Sequence, residues 1–156
     1  MSNKSAFVDN ITPYLKTVQG RTMQMNIVMR KISLDMKREI RKRFSESKDL
    51  NGKSWSPLKK IRKKRGGARA KPLVNTGRLM RSITPKSSLL SAQVGTNVSY
   101  AEVHDQGYVN RVDKVSSKGK RFVAGMNIPK RQFSGLSKHQ KIRYNTWLRR
   151  FILYGR

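Results

Sequence analysis

The sequence predicts an α+β fold: a long N-terminal helix, short helices packed on a small antiparallel sheet, and a C-terminal helix. Three observations predict it. Apolar residues recur at steps of three and four from residue 22 to about 47, as a core-facing helix requires. Residues 108 to 128 hold two β-type runs around a Ser116–Lys120 turn signal, SSKGK, which reads as a hairpin or an ordered loop returning as a strand. A final amphipathic run follows a serine suited to capping.

Residues 1–21 read as an N-terminal arm. Phe7, Val8, Ile11, Tyr14, Leu15 and Val18 suit a short amphipathic helix, interrupted near Pro13 and ended by Gly20. Such an arm packs either on its own domain or on a neighbouring subunit. Residues 22–156 read as a single α+β domain. Its long helix carries the stripe Met25, Val28, Met29, Ile32, Met36, Ile40 and Phe44. Core packing is the favoured reading of that stripe, with a Met-rich partner groove as the alternative. Its other face carries Arg30, Lys31, Lys37, Arg38, Arg41, Lys42 and Arg43, with Asp35–Arg38 and Glu39–Arg43 as same-face pairs.

Residues 49–57, DLNGKSWSP, form a turn-rich loop with Trp55 as its anchor on a core. A basic loop, 58–71, follows. It holds Lys59, Lys60, Arg62, Lys63, Lys64, Arg65, Arg69 and Lys71 around Gly66-Gly67, with almost no apolar content. Like charges at this density favour an anionic partner over a solvated loop.

Next comes the stretch around which the rest is organised, Pro72 to Gly107. Asn75-Thr76-Gly77 is a turn or cap signal, and Leu79, Met80 and Ile83 suit one or two helical turns. Leu89 to Val94 reads as a strand broken by Gly95-Thr96-Asn97. Tyr100, Val103 and His104 return to helical spacing, and Gly107 is placed to stop that helix in a left-handed conformation. After the hairpin, Ile128 to Leu136 is extended. Ser137 then caps a helix over 138–154, with Ile142, Trp147, Leu148, Phe151 and Ile152 on one side and Arg143, Arg149 and Arg150 on the other.

Composition bounds the function. The 156 residues hold 36 Lys+Arg against 8 Asp+Glu, a net charge of +28, with 36% hydrophobic residues and a mean hydropathy of −0.70. Such a chain repels itself and needs a polyanion or acidic protein surfaces. The absence of cysteine excludes disulfides and thiolate metal sites, and suits a reducing compartment or assembly inside a cell. The N-terminus lacks the charged-then-apolar pattern of a signal peptide, and no apolar run approaches the ~20 residues of a membrane span. No Walker loop, HExxH, GxSxG or dinucleotide glycine pattern is present.

His104 lies between Glu102 and Asp105, but not at ligand spacing. The reading is that the two carboxylates offset nearby Arg or Lys and that His104 makes a structural hydrogen bond. No catalytic residue, cofactor or metal is expected. The aromatics do not interleave with the basic run as a single-strand platform requires, so any nucleic-acid contact is to phosphates.

Five motif pieces occur in order: Trp55-Ser56-Pro57-Leu58; Thr76-Gly77-Arg78-Leu79 with Ser82-Ile83; Val94-Gly95-Thr96-Asn97; Tyr100-Ala101 with His104 to Gly107; and Ile128-Pro129-Lys130-Arg131-Gln132-Phe133. Together they resemble the phage virion morphogenesis family, the tail completion proteins of Mu-like phages, from about Ile32 to the C-terminus. Asp105-Gln106 and Gln132 depart from the family's usual residues, and the first thirty residues match no part of the pattern.

The resemblance implies a non-enzymatic structural virion protein, akin to head–tail joining proteins. It implies a homo-oligomeric, hexameric ring around the DNA channel at the phage neck, touching the head connector and the tail tube or sheath, with no membrane. The basic loop residues would then face genome DNA or acidic neighbours. Gly77, Gly95 and Gly107 would permit turns, and Tyr100 and Phe133 would fill the core. The rival reading is a nonspecific nucleic-acid-binding protein contacting phosphates through the basic loop. A nuclease is a third.

Overall fold

A computed structural model describes residues 11–58, 71–115 and 121–156, with the backbone alone at 111–115 and 121–126. The elements run α1 Ile11–Thr22, α2 Asn26–Glu46, α3 Arg78–Arg81, β1 Thr84–Ser87, β2 Ala92–Gly95, α4 Ala101–Gln106, β3 Tyr108–Val115, β4 Arg121–Ile128 and α5 Lys138–Tyr154. The architecture is mixed, as predicted, but the strands form two separate antiparallel ribbons, β1–β2 and β3–β4.

Helix α2 is the spine. Its stripe buries Met25, Val28, Met29, Ile32, Ile40 and Phe44, and Met36 packs partly buried beside them. The stripe serves two cores. Toward the C-terminal end, Ile40 and Phe44 meet Trp55, Leu79, Ile83, Val98, Ala101 and Phe133. Phe44 is fully buried, with Trp55 edge-on at 5.6 Å and Phe133 at 5.1 Å between ring centres. Toward the N-terminal end, Met25, Val28, Met29 and Ile32 meet Tyr144 and Phe151 of α5.

Several local expectations give way to tertiary context. Pro13 does not interrupt α1, because it lies in the first turn, where its missing N–H has no helical partner to lose. Gly20 does not end α1, which runs on to Thr22. The arm reaches its own chain: Arg21 Nη1 donates to the Ile152 carbonyl at 3.1 Å, near the C-terminus of α5, where a cation suits the helix dipole. Even so, α1 buries no residue, and Ile11, Tyr14 and Leu15 are exposed.

The strand expected over Leu89 to Val94 begins later. Residues 88–91 are the turn between β1 and β2, held by Ser88 and Ser91, so Leu89 and Leu90 are exposed. Strand β1, Thr84–Ser87, has no counterpart among the expected elements, since TPKS carries little apolar pattern. Both strands of the larger ribbon are present, paired from Tyr108↔Ile128 to Val115↔Arg121; the SSKGK turn lies outside the described residues.

Helix α5 starts where predicted. Ser137 accepts from the Gln140 N–H, and Gln140 Oε1 accepts from the Ser137 N–H, a reciprocal capping box. Its expected apolar side is the packed one, with Phe151 buried and Trp147, Leu148 and Ile152 partly buried against the core; Ile142 is the exception and is exposed. Gln140 and Tyr144 are buried on the same side, where a purely apolar count does not look for polar side chains.

Candidate functional site

The motif residues converge around the C-terminal end of α2. There the chain from Ile128 to Ser134, which has no regular structure beyond β4, is held by side chains that supply the missing backbone partners. Asp105, on α4, is 4% exposed. Its Oδ1 accepts the N–H groups of Phe133 at 2.8 Å and Ser134 at 2.9 Å, and its Oδ2 accepts the Ser134 hydroxyl at 2.7 Å. The expectation that Asp105 offsets a cation holds only as an attraction to Arg43 without an ion-pair contact; its hydrogen bonds go to Phe133 and Ser134.

Arg43 works from the opposite side. Read as part of the charged face of α2, it is instead buried. Its Nη1 donates to the Phe133 carbonyl at 2.7 Å and the Gly135 carbonyl at 3.0 Å, and Nη2 donates to Gln140 Oε1 at 2.8 Å. The expected Glu39–Arg43 pair is therefore replaced: Glu39 pairs with Arg143 at 3.2 Å. Burial lowers the Arg43 pKa from its ordinary value, opposed by Glu39 and then by Tyr144, Asp105 and Asp49. Position 43, one residue before the deepest side chain, is the available signal, but charge outweighs it.

Trp55 is buried as predicted, and its Nε1 donates to the Gln132 carbonyl at 3.2 Å. Arg131 is 6% exposed; its Nε donates to the Ser56 carbonyl at 2.9 Å and Nη2 to the Pro57 carbonyl at 3.1 Å. The tryptophan and IPKRQF motifs are thus bound to each other, 75 residues apart in sequence at Arg131–Ser56. Pro129 is half-buried in the irregular segment before them.

In the TGRL motif, Thr76 Oγ1 accepts the Arg78 N–H at 3.3 Å, Gly77 has φ +75°, and Leu79 is 3% exposed. Ser82 bonds the Leu79 carbonyl at 2.8 Å and Thr96 Oγ1 at 2.5 Å, joining this motif to VGTN. Gly107 has φ +81° with an extended ψ of 161°, not the left-handed helical pair expected. A Cβ there would lie 2.9 Å from Lys130 N, so glycine is required twice over. Gly95 has no such need: its φ is ordinary, and a Cβ there would meet nothing within 4 Å.

Tyr100 is 40% exposed and does not fill the core; Phe133 and Ala101 do. Tyr100 stands edge-on to His104 at 5.8 Å. His104 Nδ1 is buried and, among the described residues, makes no hydrogen bond, which corrects the structural bond expected of it. Burial, then the neighbouring Arg131 charge, lowers the His104 pKa below 6.5. The Glu102–His104–Asp105 triplet is divided: Asp105 turns to Phe133 and Ser134, Glu102 is exposed, and His104 faces a different cavity from both.

That cavity, about 350 Å³, lies between the TGRL turn, α4 and Arg131, with Leu58 and Lys71 on its wall. Leu73, also on the wall, has φ +61°, a left-handed conformation that costs an L-residue about 1–2 kcal/mol. Lys71 Nζ donates to the Ser45 carbonyl at 2.6 Å, near the end of α2. Lys59, Lys60, Arg62, Lys63, Lys64, Arg65 and Arg69 lie outside the described residues.

Near the middle of α2, Asp35 gathers Arg38, Arg143 and the Tyr144 hydroxyl, the last at 2.9 Å. The Asp35–Arg38 pair matches expectation. Gln140 completes a Ser-x-x-Gln capping-box pattern with Ser137, a signal present in the sequence; its bond to Arg43, and that of Tyr144 to Asp35, exist only once α5 lies on α2. Burial, and then the bond to Asp35, raises the Tyr144 pKa above 10.0. Among the described residues, no helix is long and apolar enough to cross a membrane.

No curated protein and no solved structure matches the chain. A family model described as the phage virion morphogenesis family matches residues 8–151. The match takes in most of the N-terminal arm, which the motifs alone did not reach. A spine helix, five motif pieces locked to one another, and a family match spanning nearly the whole chain lead to one conclusion: the protein belongs to the phage virion morphogenesis family, and its role is structural, in phage virion assembly.

Proposed function

We propose that the chain is a non-enzymatic tail completion or head–tail joining subunit. It forms a ring, hexameric in this reading, around the DNA channel at the phage neck, between the head connector and the tail tube or sheath. The arm at 1–21 and the single domain at 22–156 are the working division of the chain. The family match over residues 8–151 carries this reading.

Physical features support it. Ile11, Leu15, Met23, Ile27, Val109 and Ile142 are more than half exposed, a poor arrangement for an isolated chain and a useful one for a chain that is covered on assembly. The β3–β4 ribbon pairs with no other described strand, and two-stranded ribbons are marginal alone in water. The charge of +28 needs neutralising neighbours, genome or acidic protein faces.

Electron microscopy of purified particles tests the reading. The expected result is several copies in one ring at the neck. Absence from mature virions would overturn it. The same charge favours a second reading, a nonspecific nucleic-acid binder working through the basic loop. In that case the isolated protein binds DNA tightly, and affinity falls ~10³–10⁵-fold between ~50 and ~200 mM salt. Deleting residues 59–70 separates the two: loss of DNA binding with particle assembly intact makes the loop a phosphate contact and not a ring-building element.

A further inference from the structure

The cavity beside Arg131 has an unusual charge balance. Arg78, Arg131 and Lys71 line it and, among the described residues, no carboxylate does. Lys71 is engaged by the Ser45 carbonyl. The Arg78 side chain is exposed and makes no hydrogen bond or ion pair among the described residues. Arg131 is buried, its Nε and Nη2 spent on the Ser56 and Pro57 carbonyls, and its Nη1 has no acceptor among the described residues. Beside it, His104 Nδ1 is buried without a partner. A buried cation next to an orphaned polar atom is costly unless a counter-charge enters.

We propose that this cavity receives an acidic side chain of a partner protein, its carboxylate gripped by Arg78 and Arg131 with His104 completing the contacts. A carboxylate offers two coplanar acceptors that match the guanidinium fork. The space, about 350 Å³, suits a side chain on a peptide segment. Duplex DNA presents its phosphates on a convex surface too broad to enter such a cavity. The apolar wall of Leu58, Leu73 and Leu79 lowers the local dielectric and strengthens the pairing. This goes beyond the ring reading, and its test on the isolated full chain does not depend on where the chain sits in a particle.

The test is titration of the full chain, at fixed salt, with a blocked Gly-Ser-Asp-Glu-Asp-Ser peptide, its Asn/Gln counterpart and a short DNA duplex, followed by the NMR signals of the His104 ring. The acidic peptide is expected to shift those signals and raise the His104 pKa, because a bound carboxylate offsets the Arg131 charge beside the ring; Arg78 and Lys71 line the same cavity, and Glu102 and Asp105, on its own helix, line another. The amide peptide should leave them in place. Arg78→Gln, whose side chain holds nothing in the fold, should weaken the acidic peptide about tenfold or more, as loss of a charged hydrogen bond does, and leave duplex affinity within about twofold. Lys86→Gln, an equal loss of charge on β1, should leave peptide affinity unchanged. An unmoved His104, equal weakening by Lys86→Gln, or a duplex that shifts His104 and is itself weakened by Arg78→Gln would each overturn the proposal.

Discussion

The two ends of α2 solve the same problem in different ways. At the C-terminal end, aromatic rings close on one another, and the buried acid Asp105 binds backbone N–H groups. Over the N-terminal half, methionines and Tyr144 close the core, and the buried acid Asp35, near mid-helix, binds the arginines Arg38 and Arg143, whose side chains are 73% and 37% exposed. The first end is finished within the chain. The second leaves Ile11, Leu15, Met23 and Ile27 uncovered nearby. The difference teaches where this fold is rigid: backbone held by a buried carboxylate has one geometry, whereas flexible thioethers and solvent-reaching arginines accept several.

If that contrast is right, Phe44→Ala should cost about 4 kcal/mol and Met29→Ala about 2 kcal/mol, since adaptable neighbours refill the second cavity better. Chemical denaturation measures both; equal losses would break the comparison. Asp105→Ala should cost about 3 kcal/mol by stranding two buried N–H groups, with little dependence on salt. Asp35→Ala should cost about 2 kcal/mol, shrinking in ~1 M salt because Arg38 and Arg143 reach solvent. A salt-sensitive Asp105 and a salt-insensitive Asp35 would reverse the assignment.

Ser137→Ala should cost about 1 kcal/mol through loss of the α5 cap, read as a lowered melting temperature. The smallest effect concerns pH. The folded His104 pKa lies below its ordinary 6.5, so the unfolded chain binds more protons as pH falls. That stability is complete above about pH 6.5 and is lost as pH falls through the lowered value. His104→Gln should flatten the melting-temperature profile below pH 6.5, and an unchanged profile would remove His104 from the account.

Much of the candidate site is legible in the sequence because it rests on local rules. Trp55, Leu79, Ile83 and Phe133 are apolar at positions whose spacing or motif order demands burial, and all four are buried. Gly77 announces a positive φ through its turn context. The misread residues share one property: their partners are remote. Arg43 resembles surface charge because its acceptors, the Phe133 and Gly135 carbonyls, lie about ninety positions away, at separations of 90 and 92. Asp105 resembles a counter-ion for the same reason, and Tyr100 resembles core because an aromatic ring does not state which side of a short helix it takes.

The sequence by itself determined the spine helix and its stripe, the capped final helix, the charge of +28 and the order of motifs that marks the family, and it narrowed 108–128 to a hairpin or a loop returning as a strand. Periodicity, capping and net charge are properties of neighbouring residues, so no fold is needed to read them. Only the tertiary structure decided that α2 serves two cores, that Arg43 and Asp105 hold the IPKRQF segment from opposite sides, and that Arg78, Arg131 and His104 share a cavity. Polar groups take their meaning from whatever partner burial brings within about 3 Å, and that partner is chosen by how the helices pack.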